Sequence, residues 1–204
     1  MTLLDILDAD PVRGWVEKLR RRDPLPPLVP ESEWDSGLSR EINDTSHERI
    51  CVGVEAFDDD MGLALKSGLL LWNDDLESSH VLCQQIKTPT GSYWHGIMHR
   101  REPDFGNSKY WFHRVADHPA FSTLAEKAAA YLSGLDDGYS RSWAGEIQAK
   151  NWDPFQFVDR CEDAVRGSEP QAIVGLLEKV QVIEIENLLD WCAEHLAGPS
   201  QAGN

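Results

Sequence analysis

The stretch Ser92–Pro119, SYWHGIMHRREPDFGNSKYWFHRVADHP, holds four of the chain's seven histidines and two of its eight tryptophans. Its reading decides the fold. Pro103 disfavours helix at Glu102 and is suited to the start of a new one, so a helix over 93–101 must break there. Asp104 can cap a second helix, in which Ser108, Trp111, Phe112 and Val115 recur at spacings of three and four and form one buried face. Pro119 cannot donate the next helical hydrogen bond and biases His118 away from helix, which ends the unit. Two short helices joined by a tight turn are predicted.

The same pattern stands 29 residues earlier: Asp75, Leu76, Ser79, Leu82, Cys83 and Ile86 match Asp104, Phe105, Ser108, Trp111, Phe112 and Val115. Such self-similarity marks a repeat. The unit has a small residue in its first helix (Ser67, Gly96), an acidic turn, a small residue twelve positions on (Ser79, Ser108) and a closing proline (Pro89, Pro119). Over residues 63–119 it resembles a degenerate tetratricopeptide or Sel1-type helical hairpin, with serine in place of the usual alanine and histidine where the first helix usually presents apolar residues. Two copies are fewer than the three or so such arrays need, so flanking helices must complete the core.

Working outward, 204 residues with 41% hydrophobic content suit one domain with a sizeable core. The expectation is a single all-α domain over 1–198, with an extended proline-rich connector at 23–45, C-terminal helices over 120–198 and a flexible tail at 199–204. Asp10-Pro11 opens a helix striped by Val12, Trp15, Val16 and Leu19. The segment DPLPPLVP (23–30) must lie extended on the surface, and Glu31 to Thr45 is polar and irregular, anchored by Trp34. Arg49 to Val54 has β-branched content but no visible partner strand, so helix or turn is preferred. Asp58-Asp59-Asp60 suits the positive end of a helix over 61–72 and lacks the alternating pattern of a calcium loop. Further helices are predicted over 120–132, 142–150 and from Asp153-Pro154 to near Gly167. A long central one runs from Ser168-Glu169-Pro170 to about Leu196, before Gly198-Pro199.

The formal net charge is -16, and it is unevenly spread. Residues 61–118 carry six basic and six acidic side chains, whereas the flanks hold an acidic excess. That balance argues against nucleic-acid and anionic-membrane partners, which need cationic surface. No apolar run approaches the roughly 18 residues of a membrane span, and the start MTLLDILDADP is acidic where a signal peptide is basic, so a cytoplasmic location is expected. Cys51, Cys83, Cys161 and Cys192 lack CxxC spacing and read as buried free thiols.

Two kinds of site compete. His95 and His99 are four apart with Glu102 three further on, a spacing that lets all three project from one side of a helix and hold a divalent metal such as zinc, iron or manganese. His113, His118, Asp117 or His80 lie near enough in sequence to add a ligand, with His113 the residue grouped with the set. The HExxH signature is missing, because Gly-Ile-Met separates the two histidines. This reading makes the protein a metal-dependent enzyme, of hydrolase type. The plainer alternative is a structural network of core histidines.

The second kind follows from the repeat resemblance, which implies that Tyr93, Ile97, Arg100 and Arg101, with Ala64, Gly68, Leu71 and Trp72, face a ligand-binding concave side. There an arginine would grip a carboxylate or phosphate while Trp72 and Tyr93 supply apolar contact. The result would be a non-catalytic interaction module without a cofactor, binding an anionic peptide or small ligand, with homo-oligomerisation possible through the acidic ends. Local ion pairing of the arginines is the structural alternative. No GxSxG, GxGxxG or phosphate loop is present.

Overall fold

The computed structural model describes residues 3–6, 11–54, 56–167 and 169–197. Twelve helices occur among them, in the order α1 (Leu3–Ile6), α2 (Val12–Arg20), α3 (Ser36–Asp44), α4 (His47–Ile50), α5 (Asp59–Trp72), α6 (Leu76–Cys83), α7 (Pro89–Arg101), α8 (Phe105–Val115), α9 (Ala120–Ser133), α10 (Gly138–Lys150), α11 (Pro154–Val165) and α12 (Gln171–Glu194). No strand forms among the described residues; one isolated bridge joins Phe57 to Ala197. The class is all-helical, and no described helix is long and apolar enough to cross a membrane. The expectations for the 199–204 tail, the Asp10 cap and the Gly198-Pro199 stop fall outside the described residues.

Aspartate caps set most helix starts. Asp58, Asp75, Asp104, Asp137 and Asp153 each accept a backbone N–H from the first turn of α5, α6, α8, α10 and α11. This satisfies donors that helix ends otherwise leave open. The second hairpin departs from its predicted start. α7 begins at Pro89 rather than Tyr93, because Thr88 caps Gly91 N and a proline fits the first turn at no cost in hydrogen bonds.

A second departure is α3. Residues 36–44, predicted irregular, form a helix capped by Asp35, whose Oδ1 accepts from Leu38 N at 2.8 Å. Leu38 and Ile42, four apart, bury against the core, and so short a stripe is hard to see in a polar segment.

Helix α5, α7 and α12 form the interior. From Thr90 to Arg101 every residue of α7 is buried, although the set includes two histidines and two arginines. A helix buried all round belongs in a core, and its polar groups then need partners. Close approach is set by small residues. A Cβ at Gly68 would stand 2.5 Å from the Trp94 ring, and one at Gly96 would stand 2.9 Å from Phe112. Within the hairpins, Ser67 Oγ donates to Ser79 O at 3.1 Å, and Ser108 Oγ donates to Gly96 O at 2.7 Å. The two pairs thus lock through the same twelve-residue offset.

The segment before α3 is extended as its prolines require, and buried donors from the core hold its carbonyls. Arg22 Nε donates to Pro24 O (3.2 Å), Gln181 Nε2 to Pro27 O (3.2 Å) and Arg101 Nη2 also to Pro27 O (3.1 Å). Trp34 sits under the Arg22 guanidinium, 5.1 Å from ring centroid to Cζ, and anchors the strap.

Candidate histidine site

Three histidines from two adjacent helices meet at one place. Asp75 caps α6 and so fixes the helix that carries His80; Thr88 and Pro89 fix the start of α7, which carries His95 and His99 one turn apart. Their side chains offer ligand atoms that all lie within 4.8 Å of one another. The His95 and His99 rings stack at 5.1 Å with 9° between planes. His80 meets both edge-on, at 4.7 and 5.3 Å between centroids.

Helix α8 closes the column. It runs back along α7, so Trp111 stacks on His95 at 3.8 Å and 8°, while Asn107, one turn earlier, brings Nδ2 to 3.1 Å from His99 Nε2. The order along α7 is therefore Asn107, His99, His95, Trp111, with His80 at the side. His95 and His99 are buried and His80 is half-buried, so the cluster lies just under the surface.

Burial holds the His95 and His99 rings neutral. It lowers His95 to about 3, with His80, His99 and the Lys87 ammonium opposing the proton further. His99 is also lowered by burial, although the neighbouring Glu102 carboxylate pulls the other way. A neutral imidazole is the form that ligates a metal. His99 Nδ1 lies 3.2 Å from Glu102 Oε2; with the proton on Nδ1 it donates to the carboxylate, and Nε2 is the ligating nitrogen. His95 Nδ1 is buried and has no hydrogen-bond partner. An orphaned ring nitrogen in such a place is costly unless something binds it. A tetrahedral ion with metal–nitrogen bonds of about 2.0–2.1 Å needs nitrogens about 3.4 Å apart, closer than the 4.8 Å within which these atoms lie, so binding one requires the rings to shift out of their present stack.

Glu102 and His113, grouped from sequence with the metal ligands, stand elsewhere. Glu102 backs His99 from outside the cluster, because the α7 helix ends at Arg101 and the residue points its half-exposed side chain along the helix. His113 is exposed on α8 and packs on Phe155 at 4.6 Å, since it lies off the face that carries Asn107 and Trp111. His118 is buried and fully used: Nδ1 accepts from Ala120 N at 3.2 Å, and Nε2 meets Thr90 Oγ1 at 3.2 Å.

The residues expected to line an anion groove are in the core. Trp72, Tyr93, Ile97, Arg100 and Arg101 are each at most 1% exposed, and Ala64, Gly68 and Leu71 are buried with them. Arg100 pairs with Glu184 of α12 and lies 4.3 Å over the Phe157 ring, and Tyr93 OH donates to the same glutamate at 3.2 Å. Arg101 pairs with Asp74 and also donates to Leu71 O, and Arg22 completes the set on Asp74. No open face remains among these residues, because Glu184 and Leu189 of α12, Phe157 of α11 and Pro27 of the strap pack onto them. The four thiols are free and buried, pushed up to about 12 chiefly by burial, and none is a nucleophile at neutral pH.

His80 is the member of the cluster that grouping by spacing ranked below His113, and nothing in the spacing singles out Asn107 or Trp111 as its neighbours. One signal for His80 lay in the connector: with only five residues between α6 and α7, the two helices must be neighbours, which brings His80 beside His95. No family model matches the chain, and neither curated proteins nor solved structures give a match.

Proposed function

We propose that the protein binds a divalent transition metal through His80, His95 and His99 and uses it to activate water, as a metal-dependent hydrolase. The observation that carries this reading is the grouping of three imidazoles with ligand atoms within 4.8 Å of one another, one of them with an orphaned buried nitrogen. Three protein ligands leave the fourth tetrahedral position for water, the pattern of catalytic rather than closed structural sites. An ion there would lower the pKa of that water toward neutrality and supply hydroxide as nucleophile. An all-imidazole set suits zinc or iron better than manganese, which favours oxygen donors. Glu102 fits the role of the carboxylate that fixes the tautomer of a ligating histidine.

The rival reading, an anion-binding interaction groove, has no surface at Trp72, Tyr93, Arg100 and Arg101, because all four are buried and both arginines are paired. The hairpin pairs α5–α6 and α7–α8 we still read as a degenerate tetratricopeptide-like repeat, supported by the matched serine contacts at the twelve-residue offset.

Metal analysis tests the proposal. Protein purified, or reconstituted with zinc or iron(II), should hold close to one equivalent per chain. His80→Ala and the double variant His95→Ala, His99→Ala should lose it while keeping their helical circular dichroism. Failure of the wild type to take up metal under any reconstitution would leave the cluster as core packing.

A further inference from the structure

The histidine site has a polar neighbour that neither ligates nor backs a ligand. Asn107 Nδ2 lies 3.1 Å from His99 Nε2 and 3.4 Å from Nδ1. Such nearly equal distances put the amide over the face of the ring, not in line with either lone pair. The amide is therefore not consumed by His99, and the Nε2 lone pair stays free. Its position is fixed from behind: Asn107 N donates to the Asp104 cap at 3.1 Å, and the next residue, Ser108, is tied to Gly96 O at 2.7 Å. At the other end of the column stands the indole of Trp111, stacked flat on His95. One end of the cluster thus offers hydrogen-bond donors and the other an apolar plate.

Charge sets what would occupy the open position. Three neutral imidazoles leave a dication uncompensated, and the Lys87 ammonium is close enough to oppose protonation of His95. The nearest carboxylate, Glu102, is turned to the far nitrogen of His99. A dication in that setting favours an anionic oxygen as its fourth ligand, and an amide N–H over the adjacent ring is placed to donate to it.

Resting on the three-histidine reading, we infer that the fourth position is an anion site in which Asn107 holds a metal-bound oxygen, so that the substrate class is a small molecule presenting a carboxylate, phosphate or developing oxyanion. Asn107 contacts that oxygen and not the metal. Its removal should spare the ion and weaken the anion.

Cobalt(II) loading of the metal-free protein provides the readout, because its visible bands report both ion uptake and the fourth ligand. The probes are azide, followed by acetate in competition. Asn107→Ala and the milder Asn107→Ser should bind cobalt within about threefold of wild type and azide and acetate about tenfold or more weakly, the range of one lost hydrogen bond to a charged group. Asn107→Asp should bind cobalt more tightly and lose the azide response, since its own carboxylate reaches the open position. Unchanged azide and acetate affinities in both Ala and Ser variants would overturn the role of Asn107 and leave the metal site standing. Wild type that takes up no cobalt would overturn the metal reading, and this inference with it.

Discussion

Helix α7 carries two buried polar clusters, and they differ in charge: one sets cations against carboxylates of the same chain, the other gathers imidazoles with no cation among them. Along one part of its surface, Arg100 and Arg101 meet Glu184 and Asp74, with Tyr93, Arg22 and the strap carbonyls filling in around them. On another, His95 and His99 meet a third histidine and an indole, and His95 Nδ1 meets nothing. Both clusters looked like sites in the sequence. In the arginine cluster Glu184 and Asp74 match the charges, although Arg100 Nε and Nη1 and Arg101 Nε have no hydrogen-bond partner, and it holds the strap and α12 to α7, so it is architecture. The histidine cluster has ring nitrogens within 4.8 Å of one another and an orphaned one on His95, which is costly to bury unless something binds it.

The largest expected effect belongs to the closed cluster. Glu184→Ala leaves Arg100 as a buried charge without its carboxylate and should lower unfolding stability by about 3–5 kcal/mol in denaturant titration. Replacing both partners, as in Arg100→Met with Glu184→Leu, should recover most of that loss, because a well-packed apolar pair avoids the desolvation of two ions. If Glu184→Ala proved nearly neutral, Arg100 would have another anion in solution, and the contrast between the two clusters would collapse.

How far the sequence showed this contrast depends on which link of the chain is asked. The helical class, the caps at Asp104 and Asp153 and the break after Arg101 are local features, legible because capping and periodicity act within a few residues. The fate of Arg100 and Arg101 was not local. Their partners lie 84 and 27 residues away, and the packing of α12 onto Arg100, and of the α5–α6 turn and the strap onto Arg101, decides that they face inward. The same holds for the missing groove: the repeat resemblance implied a concave side, but the chain beyond the repeat fills it. At the histidine site, the i, i+4 pair was legible as a pair, whereas the choice of His80 over His113 as third member rests on the tertiary placement of α6 beside α7. Helix α3 escaped for the opposite reason, since its two buried residues are too few to make a period.

pH should separate the clusters next. Arginines stay charged at any accessible pH, while burial lowers His95 to about 3 and His118 to about 4, against about 6.5 in an unfolded chain. Between those values the unfolded state binds more protons than the native state. Stability of the metal-free protein therefore rises with pH through this window and falls as pH drops from about 6.5. Equilibrium unfolding at pH 7, 5.5 and 4.5 should follow that slope, and His95→Gln should flatten it without abolishing it, since His118 remains. An equal slope in the variant would mean that His95 is already solvated in the native state.

The finest test of the contrast is Glu102, which touches the open cluster without belonging to it. Its side chain is 44% exposed and makes its contact with the neutral His99 ring at Nδ1, 3.2 Å away, so as a solvated hydrogen bond it should contribute little to folding. Glu102→Gln should accordingly leave the unfolding midpoint within experimental scatter. Its effect should appear in metal affinity instead, as a loss of about 10–100-fold in competition with a chelator, because a carboxylate behind a ligating histidine fixes the tautomer and raises the basicity of the other nitrogen. The two outcomes pull apart the meanings of a contact to a buried histidine. A stability change without a change in metal affinity would make Glu102 a helix-end ion pair and the histidines core residues. A change in affinity alone would place Glu102 with the site, as a more exposed member than any of the three histidines.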